Sequence, residues 1–215
     1  RAHPNLKYLA KEIKNGGFGP LYTFRATVGQ RLDEWRPGTN YRECYSSDSR
    51  KGGGALFDLI HEIDLINWFA GPIHEVYAHL AHVSDLEIVG EDLANLLLIT
   101  RSGAVGQIQL DMLSPAYRRG LELVFRDALF AWNYVDGSLA VETKRGRKIV
   151  NKVTEPFDRN TLFIEHMRRF LARVTNPNAT ALCSLDEGIS ALKVAQASRL
   201  SSESGRSFFI GDLEE

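Results

Sequence analysis

The chain has 215 residues, of which 44% are hydrophobic and 25% are charged, which is the composition of a globular protein with one substantial core. Its formal net charge of −1 gives no reason to expect nucleic acid or a membrane surface as a partner. The two cysteines, Cys44 and Cys183, lie far apart in sequence, and no apolar run approaches the ~20 residues that span a bilayer. These features indicate a cytoplasmic protein with free thiols.

The first fifty residues predict a helix, a strand and a long loop. Residues 4–15 carry apolar side chains at helical spacing until two glycines end the pattern. Residues 22–28 alternate between apolar and polar side chains, as a half-buried strand does. Residues 29–51 show no clear periodicity but are rich in arginine and tyrosine. Long loops inside compact domains are usually functional or disordered. Because Trp35, Tyr41 and Tyr45 argue against simple disorder, we expect this loop to contribute to a site.

The most informative segment follows this loop. Gly52-Gly53-Gly54 lead directly into a predicted helix that carries Asp58, His61 and Asp64 at three-residue spacing. At about 100° per residue these three side chains form one stripe along the helix. Hydrophobic residues lie beside the stripe, so we expect it to face a partly dry cleft. The glycines would let a ligand approach the backbone, and the helix start would favour an anionic or hydroxyl-rich group.

The remainder of the chain predicts seven strands and then two helices. The strands are expected at 74–82, 92–100, 104–112, 119–126, 129–135, 138–143 and 147–153. Turn residues between neighbouring runs indicate hairpins and therefore antiparallel pairing.

Both closing helices carry end signals. The first is predicted to begin with Asn160 as its cap, and its expected core face consists of Phe163, Met167, Phe170, Leu171 and Val174. The second begins with a capping box, Ser184 to Glu187, and stops near Gly205. Residues 208–210 could add a short last strand.

Strands and helices that are segregated along the chain predict an α+β fold. We expect one domain over residues 1–215, with a large open, mainly antiparallel sheet and helices packed on one face. The uncovered face would expose alternate apolar residues of several strands. Such a patch is normally an oligomer interface, so we expect a homodimer or tetramer formed through it. Because the sequence starts at Arg1 without Met, we expect it to belong to a longer polypeptide.

The stripe on the central helix has the residue types of an acid–base site. His61 belongs to the side-chain type whose unperturbed pKa lies near neutrality. A carboxylate one helical turn away can orient the imidazole and tune its basicity, and both Asp58 and Asp64 lie at that spacing. On residue types alone, a polar network that only holds the helix explains the pattern equally well. The hydrophobic flanks and the preceding loop favour a site.

Three familiar motifs fail. His61-Glu62 begins like H-E-x-x-H, but the fifth residue is Leu65, and no third ligand is evident near His61 and Asp64, so no metal site is predicted. Residues 16–19 follow a helix and precede a strand, the reverse of a dinucleotide-binding loop. We therefore predict no cofactor-binding residue within this chain. The G-x-S-x-G motif of hydrolases is absent.

The segment Gly-Gly-Gly-x-x-x-Asp58, followed by His61-x-x-Asp64 and then Trp68 and Gly71, resembles the C-terminal domain of the Gfo/Idh/MocA oxidoreductases. The resemblance covers nearly the whole chain. A subset associated with sugars of surface glycans and flagellin is more similar still, since it shares the compact Asp-Leu-x-His-Glu-x-Asp form. In many relatives the acid precedes the histidine by four residues, whereas Asp58 precedes His61 by three.

The resemblance implies an NAD(P)-dependent oxidoreductase that acts on a hydroxyl or carbonyl of a sugar or sugar derivative. His61 would be the catalytic acid and base, and Asp58 would orient it or the substrate. The substrate-binding residues would be Tyr41, Arg42, Tyr45 and Asp64. NAD or NADP would be bound mainly by an N-terminal Rossmann domain that supplies a catalytic lysine and that this sequence lacks. We therefore expect this fragment alone to be inactive.

Two other functions stay open. The chain could be a non-enzymatic assembly or ligand-sensing domain of the same fold, which would keep the sheet interface but not the chemistry. A metal-dependent hydrolase is the third hypothesis, and it lacks an evident set of ligands. A G-x-G-x-x-G motif upstream of Arg1 would favour the oxidoreductase.

Overall fold

Nine strands form a single sheet in the computed structural model, which describes residues 1–151, 153 and 158–214. They are β1 Leu21–Gly29, β2 Ile73–Ala81, β3 Leu93–Thr100, β4 Val105–Asp111, β5 Arg118–Phe125, β6 Ala128–Asn133, β7 Leu139–Thr143, β8 Gly146–Val150 and β9 Phe208–Phe209. Their order is β8-β7-β6-β5-β1-β4-β3-β2-β9. The predicted strand 147–153 includes Lys152, which lies outside the described residues.

The strand pairing confirms the predicted sheet. β1 lies in the middle, parallel to β4 and antiparallel to β5. The other neighbouring pairs are antiparallel. Because successive side chains of a strand point to opposite faces, β3 buries Ala94, Leu96 and Leu98 on one side and leaves Leu97 48% exposed on the other. The sheet therefore has one face in the core and one open face.

Five helices accompany the sheet within the described residues: α1 Pro4–Asn15, α2 Ala55–Asp58, α3 His61–Ala70, α4 Asn160–Thr175 and α5 Leu185–Ser204. The helix α5 packs against β2. The backbone N–H groups of Ala78 and Leu80 donate to the hydroxyls of Ser201 and Ser202, at 3.0 and 2.9 Å. Strand β9 pairs only with Glu75 and Val76 of β2 and does not reach these two N–H groups. The serine hydroxyls accept their hydrogen bonds instead.

The ends of the two closing helices agree with the sequence in one case and not in the other. Ser184 and Glu187 form the predicted capping box of α5, and Gly205 ends that helix in the left-handed conformation. The predicted cap of α4 is wrong: Asn160 is its first residue, and the side chain of Arg159 at the cap position makes no capping bond. Asp158 instead accepts a hydrogen bond from the Asn160 N–H, at 2.8 Å.

The predicted core face of α4 is also wrong. Helical spacing identified its apolar stripe, but spacing cannot say what a stripe faces. The exposed fractions of its side chains are 61% for Phe163, 57% for Met167, 60% for Phe170, 54% for Leu171 and 65% for Val174. The helix is tied to α1 by an ion pair between Lys7 Nζ and Glu165 Oε1, at 3.3 Å. Among the described residues, this apolar face has no covering element.

The glycines before the central helices approach the protein's own loop, not an open ligand site as expected from sequence. The N–H groups of Gly53 and Gly54 donate to the carbonyl oxygens of Asp48 and Ser46, each at 3.0 Å. A Cβ on Gly53 would overlap the carbonyl oxygen of Tyr45. The glycines therefore let loop 29–51, which folds into four short 3₁₀ turns, lie directly against the start of α2.

The single helix predicted for the central segment is two helices. α2 ends at Asp58, and α3 begins at His61. Leu59 between them has φ −103° and ψ 19°, outside the helical range. This break changes the expected path of the backbone. It nevertheless keeps Asp58, His61 and Asp64 on one side, because all three line the same cavity.

Candidate active site

A cavity of about 600 Å³ lies between the α2–α3 segment, one end of the sheet and the first turns of α1 and α4. Its volume is in the range usual for small-molecule sites. Its ionisable lining includes Arg1, His3, Asp58, His61, Asp64 and Arg119. Aromatic rings of Trp35, Tyr117, Trp132 and Tyr134 form much of the remaining wall. The cavity thus combines flat apolar surfaces with a few polar groups.

His61 occupies the first position of α3 and presents 44% of its side chain to solvent in the cavity. Burial lowers the pKa of its imidazole below the ordinary value, and the guanidinium groups of Arg119 and Arg159 act in the same direction. Since the ring is partly exposed, water offsets some of this effect. The imidazole is therefore neutral at physiological pH and can accept a proton.

Asp58 is held from the loop side by Tyr45. The Tyr45 hydroxyl donates to Asp58 Oδ1, at 2.9 Å, and the pKa of Tyr45 is raised mainly by this hydrogen bond. The second oxygen, Asp58 Oδ2, is buried and accepts no hydrogen bond from the described residues. A buried acceptor without a partner is uncommon in a folded protein. Asp58 itself lines the cavity, so a turn of its carboxylate would bring this unpartnered oxygen to the cavity surface.

Asp64 lines the cavity, but its carboxylate is bound to Arg1. Arg1 donates to Oδ2 from Nε, at 3.0 Å, and to Oδ1 from one terminal nitrogen, at 2.7 Å. Glu187 accepts from the other terminal nitrogen of Arg1. Burial lowers the pKa of Arg1, and the bonds to the two acids more than reverse this effect and raise it. Asp64 thus anchors Arg1, and Arg1 connects α3 to α5.

Tyr41 and Arg42 do not reach the cavity. The Tyr41 hydroxyl accepts a hydrogen bond from the Glu87 N–H, at 3.2 Å. Arg42 forms a two-point ion pair with the carboxylate of Glu87, at 2.6 and 3.1 Å. From the same loop, Trp35 and Arg36 line the cavity instead. The loop thus lines the cavity through side chains other than Tyr41 and Arg42, because a periodic pattern does not reveal the side-chain directions within its 3₁₀ turns.

The sequence analysis missed a buried ion pair beside His61. Glu62 is fully buried, and its Oε1 lies 2.6 Å from Arg119 Nε on β5. Burial raises the pKa of Glu62, and Arg119 opposes that rise. The guanidinium of Arg119 lies over the rings of Trp132 and Tyr134, at 5.6 and 5.9 Å from their centres. One signal was available: Glu62 falls on the apolar side of the helical pattern, where an acid requires a buried partner.

His3 also lines the cavity and, unlike His61, is buried. Burial lowers its pKa to about 4, and Arg119 adds to this effect. Its Nδ1 accepts a hydrogen bond from the Asn5 N–H and so caps α1. Because one ring nitrogen is committed to the helix cap, His3 has a structural role at the edge of the site.

Within residues 1–151, 153 and 158–214, no group of three or more histidine, cysteine, aspartate or glutamate side chains could hold a metal ion. No helix in the same residues is long and apolar enough to cross a membrane.

Comparison with known proteins agrees with the fold. The family model for the GFO/IDH/MocA C-terminal domain matches residues 6–130. No curated protein matches the chain. An oxidoreductase domain protein from Kribbella flavida superposes with a TM-score of 0.85 and 18% identity, over 98% of this chain and 64% of that one. The chain therefore spans less than two thirds of this relative.

Two further structures are similar and contain ligands. Levoglucosan dehydrogenase in complex with NADH and levoglucosan has a TM-score of 0.83 and 19% identity, over 97% of this chain and 63% of that one. An oxidoreductase from Agrobacterium radiobacter in complex with NAD⁺, L-tartaric acid and magnesium has a TM-score of 0.79 and 17% identity, over 99% and 64%. At these identities the likeness shows a shared fold.

Proposed function

Since the chain belongs to the Gfo/Idh/MocA family through that family's C-terminal domain, we propose that it is the substrate-binding and catalytic half of an NAD(P)-dependent oxidoreductase that acts on a hydroxyl or carbonyl of a sugar or sugar derivative. The observation that carries the proposal is that His61 and Asp58 line one cavity and that Asp58 Oδ2 has no hydrogen-bond partner among the described residues. The aromatic wall supports it, because flat rings suit the apolar faces of a sugar.

The chemistry of the cavity follows from these groups. Nicotinamide, when bound, supplies the hydride acceptor for oxidation. In that direction His61 accepts the proton of the substrate hydroxyl at an imidazole nitrogen, and it returns the proton in the reverse direction. After a turn of its carboxylate exposes Oδ2 to the cavity, Asp58 accepts a hydrogen bond from a substrate hydroxyl and so orients the sugar. Tyr45 fixes the Asp58 carboxylate through a hydrogen bond. Asp64 contributes indirectly, because its hydrogen bonds hold Arg1 in the cavity wall.

The cofactor would be held mainly by a second domain. The described residues contain no glycine-rich loop between a strand and a following helix of the dinucleotide-binding kind. The exposed apolar face of α4 adjoins the cavity through Leu162 and Phe163, and an apolar surface of this kind is expected to be covered. We propose that a nicotinamide-binding domain covers this face of α4.

We also propose that the protein works in the cytoplasm, because its two cysteines, Cys44 and Cys183, are free thiols.

The direct test is a nicotinamide assay of the full-length protein. We expect reduction of NAD or NADP when a sugar is supplied, and a panel of free sugars, anhydrosugars and nucleotide-linked sugars would define the preferred class. The present chain alone is expected to bind no nicotinamide and to give no reduction. A full-length protein that transfers hydride to or from none of these compounds would contradict the proposal and favour an assembly or ligand-sensing role.

The open face of the sheet is proposed as the interface of a homodimer or tetramer. It exposes Tyr77, Leu97 and Val105, at 48%, 48% and 42%, on the neighbouring strands β2, β3 and β4. We expect Leu97→Glu to lower the molar mass measured by light scattering to that of the monomer, because a carboxylate would be buried in an apolar contact. Val83→Glu, at a site outside the strands that is 59% exposed, is the control. An unchanged mass for Leu97→Glu would exclude this face.

A further inference from the structure

Four arginines of the described residues line the cavity: Arg1, Arg36, Arg119 and Arg159. Arg1 and Arg119 each form an ion pair with an acid of the same chain. Arg36 and Arg159 are exposed, and neither forms an ion pair with an acidic side chain in residues 1–151, 153 and 158–214. The proposed reaction gives these two positive charges no role, so they are available to a ligand.

Arg36 lies in the loop next to Tyr45. Its guanidinium donates one hydrogen bond, to Ser46 Oγ at 3.3 Å, and its Cζ lies 5.8 Å from the centre of the Tyr45 ring. A guanidinium has five N–H donors, so most of them remain unused. The hydrogen bond to Asp58 raises the pKa of Tyr45, and the charge of Arg36 opposes that rise. Arg36 is therefore close to the pair formed by Tyr45 and Asp58.

Arg159 reaches the cavity from the cap position of α4. Its Cζ lies 5.8 Å from the centre of the Phe163 ring, and its side chain makes no capping hydrogen bond. Burial lowers the pKa of His61, and the charges of Arg119 and Arg159 act in the same direction. The charge of Arg159 is therefore felt at the proposed acid–base residue.

The acids of the cavity wall leave these two charges uncompensated. Asp64 is already bound by Arg1. Among the described residues, Asp58 accepts a hydrogen bond from Tyr45 and forms no ion pair with either exposed arginine. Guanidinium groups bind carboxylate and phosphate oxygens through paired, charge-assisted hydrogen bonds. Two such groups without a partner favour a ligand that carries an anion.

We propose that the substrate is an acidic sugar, whose carboxylate or phosphate is bound by Arg36 and Arg159 while His61 exchanges the proton of one of its hydroxyls. This inference rests on the proposed function for the reaction, whereas the preference for an anion is a binding property that is measured without turnover. The anion also orients the sugar, because it fixes one end of the molecule relative to the imidazole.

The experiment is isothermal titration calorimetry of the full-length protein with matched probes. These are glucose, galactose and mannose, each compared with its uronic acid and its 1-phosphate. We expect the best acidic probe to bind at least about tenfold more tightly than its neutral partner, because charge-assisted hydrogen bonds to a guanidinium are the strong ones. The acidic series that binds more tightly identifies the anion as a carboxylate or a phosphate.

Arg36→Gln and Arg159→Gln test the assignment to these two residues. Each is expected to lower the ratio of acidic to neutral affinity by at least about threefold, and the double variant to bring it close to one. Affinity for the neutral sugar should stay within about twofold, since a purely structural defect would weaken both probes alike. Arg168→Gln, at an exposed arginine of α4 outside the cavity, is the matched control and is expected to leave the ratio unchanged.

The nicotinamide assay with the same probes separates this inference from the proposed function. Equal or unmeasurable binding of acidic and neutral probes, or a preference that survives in the double variant, would overturn the anion site. A raised KM for the nicotinamide cofactor together with an unchanged sugar preference would also overturn it, because the arginines would then serve the cofactor. Absence of nicotinamide activity with every probe, together with an intact preference for the acidic ones, would instead overturn the proposed function.

Discussion

Replacement of His61 by alanine is expected to lower kcat of the full-length enzyme by two to four orders of magnitude, the usual scale for a general acid–base group. The imidazole is neutral and faces the cavity, so its loss removes the group that we propose as the acceptor of the substrate proton. KM should change far less, because Asp58 and the aromatic wall, which we propose as the sugar-binding surface, remain. Steady-state kinetics with the best substrate of the panel would measure both constants.

The matched control is His74→Ala. His74 is exposed on β2 at the far edge of the sheet, with its ring 5.1 Å from that of Phe209, and it does not line the cavity. Its replacement is expected to leave kcat within about twofold. An unchanged kcat for His61→Ala would remove His61 from the reaction, even if the enzyme proves to be a sugar oxidoreductase.

The second large effect concerns stability. We expect Gly53→Ala to lower the free energy of unfolding by at least ~3 kcal/mol, because overpacking at a site that cannot relax is among the severe classes of substitution. The new Cβ would overlap the carbonyl oxygen of Tyr45 and the backbone of Ser46. Backbone atoms cannot rotate away as a side chain can, so the loop must move as a unit. Urea denaturation monitored by tryptophan fluorescence would measure the change.

Gly52→Ala separates the cost of a steric overlap from the cost of an unfavourable backbone conformation. Gly52 has φ 86°, and a Cβ there would meet nothing within 4 Å, so only the left-handed backbone opposes alanine. That cost is about 1 kcal/mol. Equal losses for Gly52→Ala and Gly53→Ala would show that the close approach to the loop is unimportant. Since the loop carries Tyr45, the Gly53 variant is also expected to weaken sugar binding.

Periodic patterns predicted most of the architecture. In strands β2 to β8, apolar and polar residues alternate or clear turn residues separate neighbouring strands. The capping box of α5 marks the start of that helix. The wrong predictions share one cause. A sequence pattern identifies the apolar face of a helix or strand but not the element that packs against it. The stripe of α4 was assigned to the core because apolar stripes usually lie there, yet no element among the described residues covers it.

The cavity was predicted only in part. Asp58, His61 and Asp64 could be placed together because they are close in sequence and at helical spacing. The approach of Arg119 to Glu62 joins β5 to α3, and no local pattern encodes such a pairing. Tyr41 and Arg42 sit in a loop whose direction depends on Glu87, far along the chain. The catalytic and substrate-binding roles themselves stay predictions.

The break between α2 and α3 has a consequence for how this segment can vary among relatives. On a continuous helix, removal of one residue turns everything beyond it by about 100°, and a histidine on the far side would leave the cavity. Here Leu59 and Ile60 lie between two helices that are anchored separately, α2 by the loop and Glu91 and α3 by Arg119 and Arg1. The joint can absorb a difference of one residue. A spacing of three and a spacing of four between the acid and the histidine are therefore compatible with the same pair of side chains in the same place.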